Sequence, residues 1–140
     1  HPPEDVLERL EAQQRAAIRL PADGILSGDW KRGAALAENG RSMSWSDKPG
    51  TPSGGSCYNC HELAPQQTSF GTMGPSLRQF GKLRGYTAEV QKYAYERIYN
   101  SKAFTPCSAM PRFGTSGTLT EAQIKDLVAY LTDPESPVNK

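Results

Sequence analysis

The sequence predicts an all-α fold. Apolar residues recur at three- and four-residue intervals in several stretches, and helix-capping and helix-stopping residues bracket those stretches. No stretch alternates as a strand would, and there is no internal repeat. At 140 residues the chain is expected to form one domain, 28–140, with an N-terminal helical extension over 1–27.

The first helix is predicted from Glu4 to about Leu20, with Val6, Leu7, Leu10, Ala17 and Ile18 on one stripe. Pro2 and Pro3 precede it, and Pro21-Ala22-Asp23-Gly24 stops it. Its stripe should lie on the body of the domain or on another subunit. A second helix is predicted from Asp29, as N-cap, to Glu38, with Asn39-Gly40 as the stop. Residues 42–55 read as loop, 57–63 as a short helix, and 65–85 as mostly loop. Thr87 to Tyr99 is helical by the spacing of Val90, Tyr93, Ala94, Arg97 and Ile98, and residues 101–117 form a second long loop. The last helix is the best marked. Thr120 and Gln123 form a capping box, Leu119 can staple onto Ile124, and Ile124, Leu127, Val128 and Leu131 make the buried stripe before Asp133-Pro134.

Apolar residues make up only 36% of the chain, a lean core that a large apolar cofactor would help to fill. A net charge of +1 with interspersed acids and bases argues against a nucleic-acid groove or a polybasic membrane patch. No apolar run approaches the roughly 18 residues of a membrane span. His1-Pro2-Pro3-Glu4 looks like a processed start, and the chain is expected to be soluble.

Cys57-Tyr58-Asn59-Cys60-His61 gathers two of three cysteines and one of two histidines into five positions. A zinc site would need a fourth ligand, for which Cys107 is the candidate. A thioredoxin-like pair lacks the surrounding strand–helix–strand pattern, and the string could also arise by chance beside a structural disulfide. The reading that uses all three residues is covalent haem c, with Cys57 and Cys60 as thioethers and His61 under the iron. On a helical turn the two cysteines share a face, and His61 is rotated by about 100° from Cys60.

A metal-bound histidine donates its other ring N–H to a fixed acceptor. Gly74-Pro75-Ser76-Leu77 is similar to the Gly-Pro-x-Leu segment of class I cytochromes c, whose proline carbonyl is that acceptor. For the opposite axial position there are three methionines. Met43 lies upstream of the cluster, and Met73 stands two residues before Pro75, on the wrong face if Pro75 lies under the histidine. Met110, beyond a helix and stiffened by Pro111, is the candidate. With His61 and Met110 both bound, the iron would pass single electrons and leave no open site.

The segment from Gly55 to Asn139 resembles the SoxX family, the monohaem c-type cytochrome subunits of bacterial SoxAX complexes. Beside the haem motif the resemblance rests on Gly74–Leu77, Ile98-Tyr99-Asn100, Ala109-Met110-Pro111-Arg112-Phe113-Gly114, Leu119-Thr120, and Tyr130-Leu131 running into Asp133-Pro134-Glu135-Ser136-Pro137-Val138-Asn139. It implies a class I cytochrome c fold around one covalent haem, in the periplasm. It also implies a heterodimer with a SoxA-like cytochrome, acting as an L-cysteine S-thiosulfotransferase on the SoxYZ carrier in thiosulfate oxidation. Substrate chemistry belongs to the partner; this subunit would accept electrons and pass them to a downstream cytochrome. Forming one sulfur–sulfur bond removes two electrons and one haem holds one, so two transfers or a second redox store are required. The alternative is a free-standing diffusible periplasmic cytochrome c serving another redox enzyme.

Cys107 is left over; it is expected to be a free thiol or to form a disulfide with a partner subunit. Arg112 is expected either to pair with a haem carboxylate or to be an exposed arginine. Trp45 and Phe113 could line the haem or be ordinary core. Tyr93, Tyr95 and Tyr99 are expected to pack.

Overall fold

The computed structural model describes residues 1–41, 45, 46, 48 and 52–140. Its five α-helices are α1 (Glu4–Ala16), α2 (Trp30–Ala37), α3 (Phe80–Arg84), α4 (Ala88–Tyr99) and α5 (Glu121–Thr132), with single 3-10 turns at Cys57–Asn59, Ser101–Ala103 and Pro137–Asn139. Among the described residues there is no strand. Half of the loop expected over 42–55 (residues 42–44, 47 and 49–51, Met43 included) lies outside the described residues.

α5 is the axis of the fold. Ile124 and the run from Asp126 to Thr132 are buried on it, where α2 and α4 pack against it and α3 meets its C-terminal end at Leu131. Each fully buried aliphatic side chain such as Ile124 or Val128 contributes about 1.5–3 kcal/mol. α2 crosses α5 at Gly33, where a Cβ would overlap the Asp126 carbonyl oxygen and stand 2.8 Å from Tyr130 Cβ. Only a residue without a side chain permits this approach. Beside the crossing, Arg32 forks onto buried Asp126 through Nε (2.9 Å) and Nη2 (3.1 Å), and the Asp29 N–H donates to the same carboxylate at 2.8 Å. Three donors compensate that buried charge.

Local signals set three helix starts. Asp29 accepts from the backbone of Lys31 and Arg32, Thr87 from Val90, and Thr120 with Gln123 closes a reciprocal capping box. Three elements differ from the expectation. α1 stops at Ala16 rather than about Leu20, because the Gln14 carbonyl accepts from Ala17 N and from Asn100 Nδ2 instead of continuing the helix. Helix α3 falls inside the expected loop. Its first N–H groups at Gly81 and Lys82 donate to Asn139 Oδ1 at 2.9 and 3.1 Å, a cap from the far end of the chain. Finally, the Cys57 segment forms one 3-10 turn, not a helix to Leu63. The carbonyls of Tyr58, Cys60 and Glu62 are taken by the N–H groups of Gly71, Gly74 and Leu77, at 2.8, 2.7 and 2.8 Å. They therefore cannot propagate a helix.

The C-terminal tail has a structural use. Asn139 Nδ2 donates to the carbonyls of Leu131 and Asp133 while Oδ1 caps α3, and Val138 is fully buried. The N-terminal extension is anchored too. Gly28 N–H donates to Lys125 O, and Asp23 pairs with Lys125 Nζ at 3.1 Å. Trp45, a candidate core residue, is 98% exposed instead. Phe113 is core at 3% exposure, Tyr95 stacks on Tyr99, and Tyr93 meets Phe104 edge-on.

Candidate haem site

Backbone bonds form this site before any side chain is considered. The Cys57 carbonyl accepts from both Cys60 N and His61 N, at 3.1 and 2.9 Å. That closes a tight turn over residues 57–61. Segment 71–77 returns along the turn through the three bonds given above and carries Gly74-Pro75 beneath His61. His61 Nδ1 then lies 2.7 Å from the Pro75 carbonyl oxygen. A carbonyl can only accept, so the proton is on Nδ1 and the Nε2 lone pair is free on the opposite side of the ring. Gly74 makes this fit. A Cβ there would strike the imidazole Cε1 and come within 2.6 Å of Nδ1, so any larger residue displaces the ring.

The two cysteine thiols are free and partly exposed. Burial of the Cys57 sulfur pushes its thiol up to about 12, so it stays protonated at neutral pH. Cys107 is exposed, and among the described residues no group of three or more His, Cys, Asp or Glu side chains is gathered for a metal ion. Thus Cys107 does not complete a zinc tetrad with Cys57, Cys60 and His61.

Met110 approaches from the 101–117 loop. It is half-buried and packs against the same apolar cluster that Cys57, Tyr58 and Leu77 adjoin. Its backbone is fixed at both polar atoms: the carbonyl accepts from Ser101 Oγ at 2.8 Å, and the N–H donates to Ser108 Oγ at 3.1 Å. Met73 is 76% exposed. Arg112 is engaged within the chain, its Nη1 donating to Gln14 Oε1 of α1 at 3.1 Å. The supports Ser101 and Asn100, both fully buried, are not recognisable as such in the sequence, where Asn100 stands out only within the Ile98-Tyr99-Asn100 segment of the family resemblance.

Residues 31–133 match the cytochrome c family. The chain belongs to that family. An uncharacterised lipoprotein of Aquifex aeolicus (strain VF5) is 44% identical over 129 residues, which are 91% of this chain and 61% of the relative. The chain therefore spans about three fifths of that relative's length. The all-helical architecture is that of a class I cytochrome c. Membership implies covalently bound haem c and electron transfer, and the donor set fits. Two neighbouring thiols, an imidazole with its Nε2 lone pair free, and a glycine cradle against the ring are what this cytochrome offers the group. Among the described residues no helix is long and apolar enough to cross a membrane.

Proposed function

We propose that this cytochrome is the electron-accepting subunit of a SoxAX-type L-cysteine S-thiosulfotransferase in periplasmic thiosulfate oxidation. When bound, one haem c supplies a centre that holds a single electron. Cys57 and Cys60 would tether it as thioethers, His61 Nε2 would bind the iron on one side, and Met110 on the other. The observation that carries this assignment is the 2.7 Å bond from His61 Nδ1–H to Pro75 O, which fixes tautomer and ring plane for a metal. The narrower reading is supported by the Met110–Gly114 and Asp133–Asn139 segments. It is also supported by α1, none of whose residues is fully buried, so that Leu10, 40% exposed, remains available to a SoxA-like partner. Substrate chemistry on the SoxYZ carrier would then belong to that partner, with electrons leaving to a downstream cytochrome. Export also accords with the lipoprotein name of the Aquifex relative.

A second reading, a free-standing diffusible periplasmic cytochrome c, is favoured by the docking of α1 on its own domain, where Arg15 Nη2 donates to Ala103 O at 2.8 Å. Affinity purification from the native host distinguishes them. The proposal expects a SoxA-like cytochrome to co-elute and the pair to be reduced when thiosulfate and reduced SoxYZ are added. Elution of this chain alone, without thiosulfate-dependent reduction, would contradict it. Iodoacetamide labelling of the non-reduced complex reports whether Cys107 forms a disulfide with the partner.

A further inference from the structure

We propose that α1 clamps the loop carrying Met110 and that Gln14 is its positioning residue, an inference that rests on Met110 being the axial ligand opposite His61. Gln14 joins the chain before Met110 to the chain after it. Asn100 Nδ2 donates to Gln14 Oε1 at 2.9 Å and to Gln14 O at 3.2 Å, while Arg112 Nη1 donates to the same Oε1 at 3.1 Å. One side-chain oxygen thus ties both flanks of the ligand. Next to it, Arg15 holds Ala103 O and lies 4.8 Å above the Phe104 ring centroid. Asn100 is fully committed, because its Oδ1 accepts from Lys102 N. Lys102 Nζ in turn holds Ser108 O at 2.8 Å.

These contacts explain why α1 is where it is. A helix of 13 residues is marginal alone in water, below or near the roughly 12–15 residues at which isolated helices begin to persist. None of its residues is fully buried, and only Val6 and Leu7 of its apolar side chains are half-buried, so apolar packing alone does not fix its place. The polar contacts of Gln14 and Arg15 hold its last turn against the loop, and the Asp23 and Gly28 contacts to Lys125 hold the linker behind it. Swinging Met110 away from the site therefore requires breaking the Gln14 bonds or carrying α1 along. One of them is charge-assisted, the kind whose loss shifts an equilibrium by about tenfold or more.

The test uses the holoprotein with Gln14→Leu, which removes the shared oxygen, and Gln14→Glu, which keeps an acceptor there. The readouts are the weak far-red band of sulfur-bound ferric iron, followed against pH, and the rate of carbon monoxide addition to the ferrous form. In Gln14→Leu the band should disappear about one pH unit earlier and carbon monoxide should add about tenfold faster. Gln14→Glu should stay within about twofold of wild type. A wild-type band that is present but unmoved in Gln14→Leu overturns the clamp alone. A wild-type protein without the band overturns Met110 as ligand. In the unaltered protein, hydrogen exchange should show the Met110 amide losing protection together with the last turn of α1 as urea is added. Retention of that protection after α1 has frayed would also overturn the clamp.

Discussion

The His61 side and the Met110 side of this cytochrome are built by different means. His61 is fixed by a short stretch of chain, in which Gly71, Gly74 and Leu77 bond the backbone of residues 58–62 and the Pro75 carbonyl accepts from the imidazole N–H. Met110 sits on a loop held by side chains, some nearby (Ser101 and Ser108) and one, Gln14, from a helix at the other end of the chain. Backbone ladders between neighbouring segments are intrinsic to the local sequence and resist substitution. Side-chain ties are removed one at a time. The His61 half should therefore fail all at once and the Met110 half loosen by degrees.

Gly74→Ala should have the largest effect. The added methyl occupies the imidazole's place, so the protein made in its native host should carry about tenfold less covalent haem per polypeptide or lower still, measured by pyridine haemochrome. Near-normal haem content with an unchanged spectrum would break the claim that this half is rigid. Gly33→Ala strikes the frame under both halves. Forcing a Cβ against Asp126 O and Tyr130 outweighs the gain of about 1 kcal/mol in helix propensity, for a net loss of about 2–3 kcal/mol in chemical denaturation. Both halves should be lost in one transition.

Ser101→Ala sharpens the contrast. It removes one buried bond to the Met110 carbonyl, with an expected cost of about 1 kcal/mol. The far-red band should become more pH-sensitive while haem content stays normal. The smallest effect is expected from Tyr95→Phe. The buried Tyr95 hydroxyl has no hydrogen-bond partner among the described residues, so its removal should leave stability at pH 7 unchanged or slightly raised. Burial raises the Tyr95 phenol from 10.0 to about 12. Between those values the unfolded chain loses the proton while the folded one keeps it, so stability falls as pH rises. Tyr95→Phe should flatten that decline, as followed by urea melts between pH 9 and about 12.

The division between the halves also marks what could be read from the sequence. Asp29, Thr87, and Thr120 with Gln123 cap backbone within three residues of themselves, and such signals are complete in a short window. The attachment motif and Gly74-Pro75 are equally local, with the partners only a short loop apart. By contrast, α3 is capped by Asn139, α1 is cut short where Asn100 takes the Gln14 carbonyl, and Arg112 turns to Gln14. Each depends on residues that only the tertiary fold brings near. The helix expected over 57–63 failed for the same reason, since the 71–77 segment withdraws its carbonyls. The core alternative for Trp45 failed because an isolated aromatic carries no periodicity to say which way it faces.

The central claim is that one covalently held haem is bound through an imidazole set by Pro75 and a thioether set by the Met110 loop. The oxidised visible spectrum of the natively produced protein, recorded beside that of Met110→Ala, tests it most directly. The far-red sulfur–iron band should be present in the wild-type protein and absent from the variant, with the haem still covalently attached in both. A wild-type spectrum without the band, or a variant that keeps it, would contradict the account.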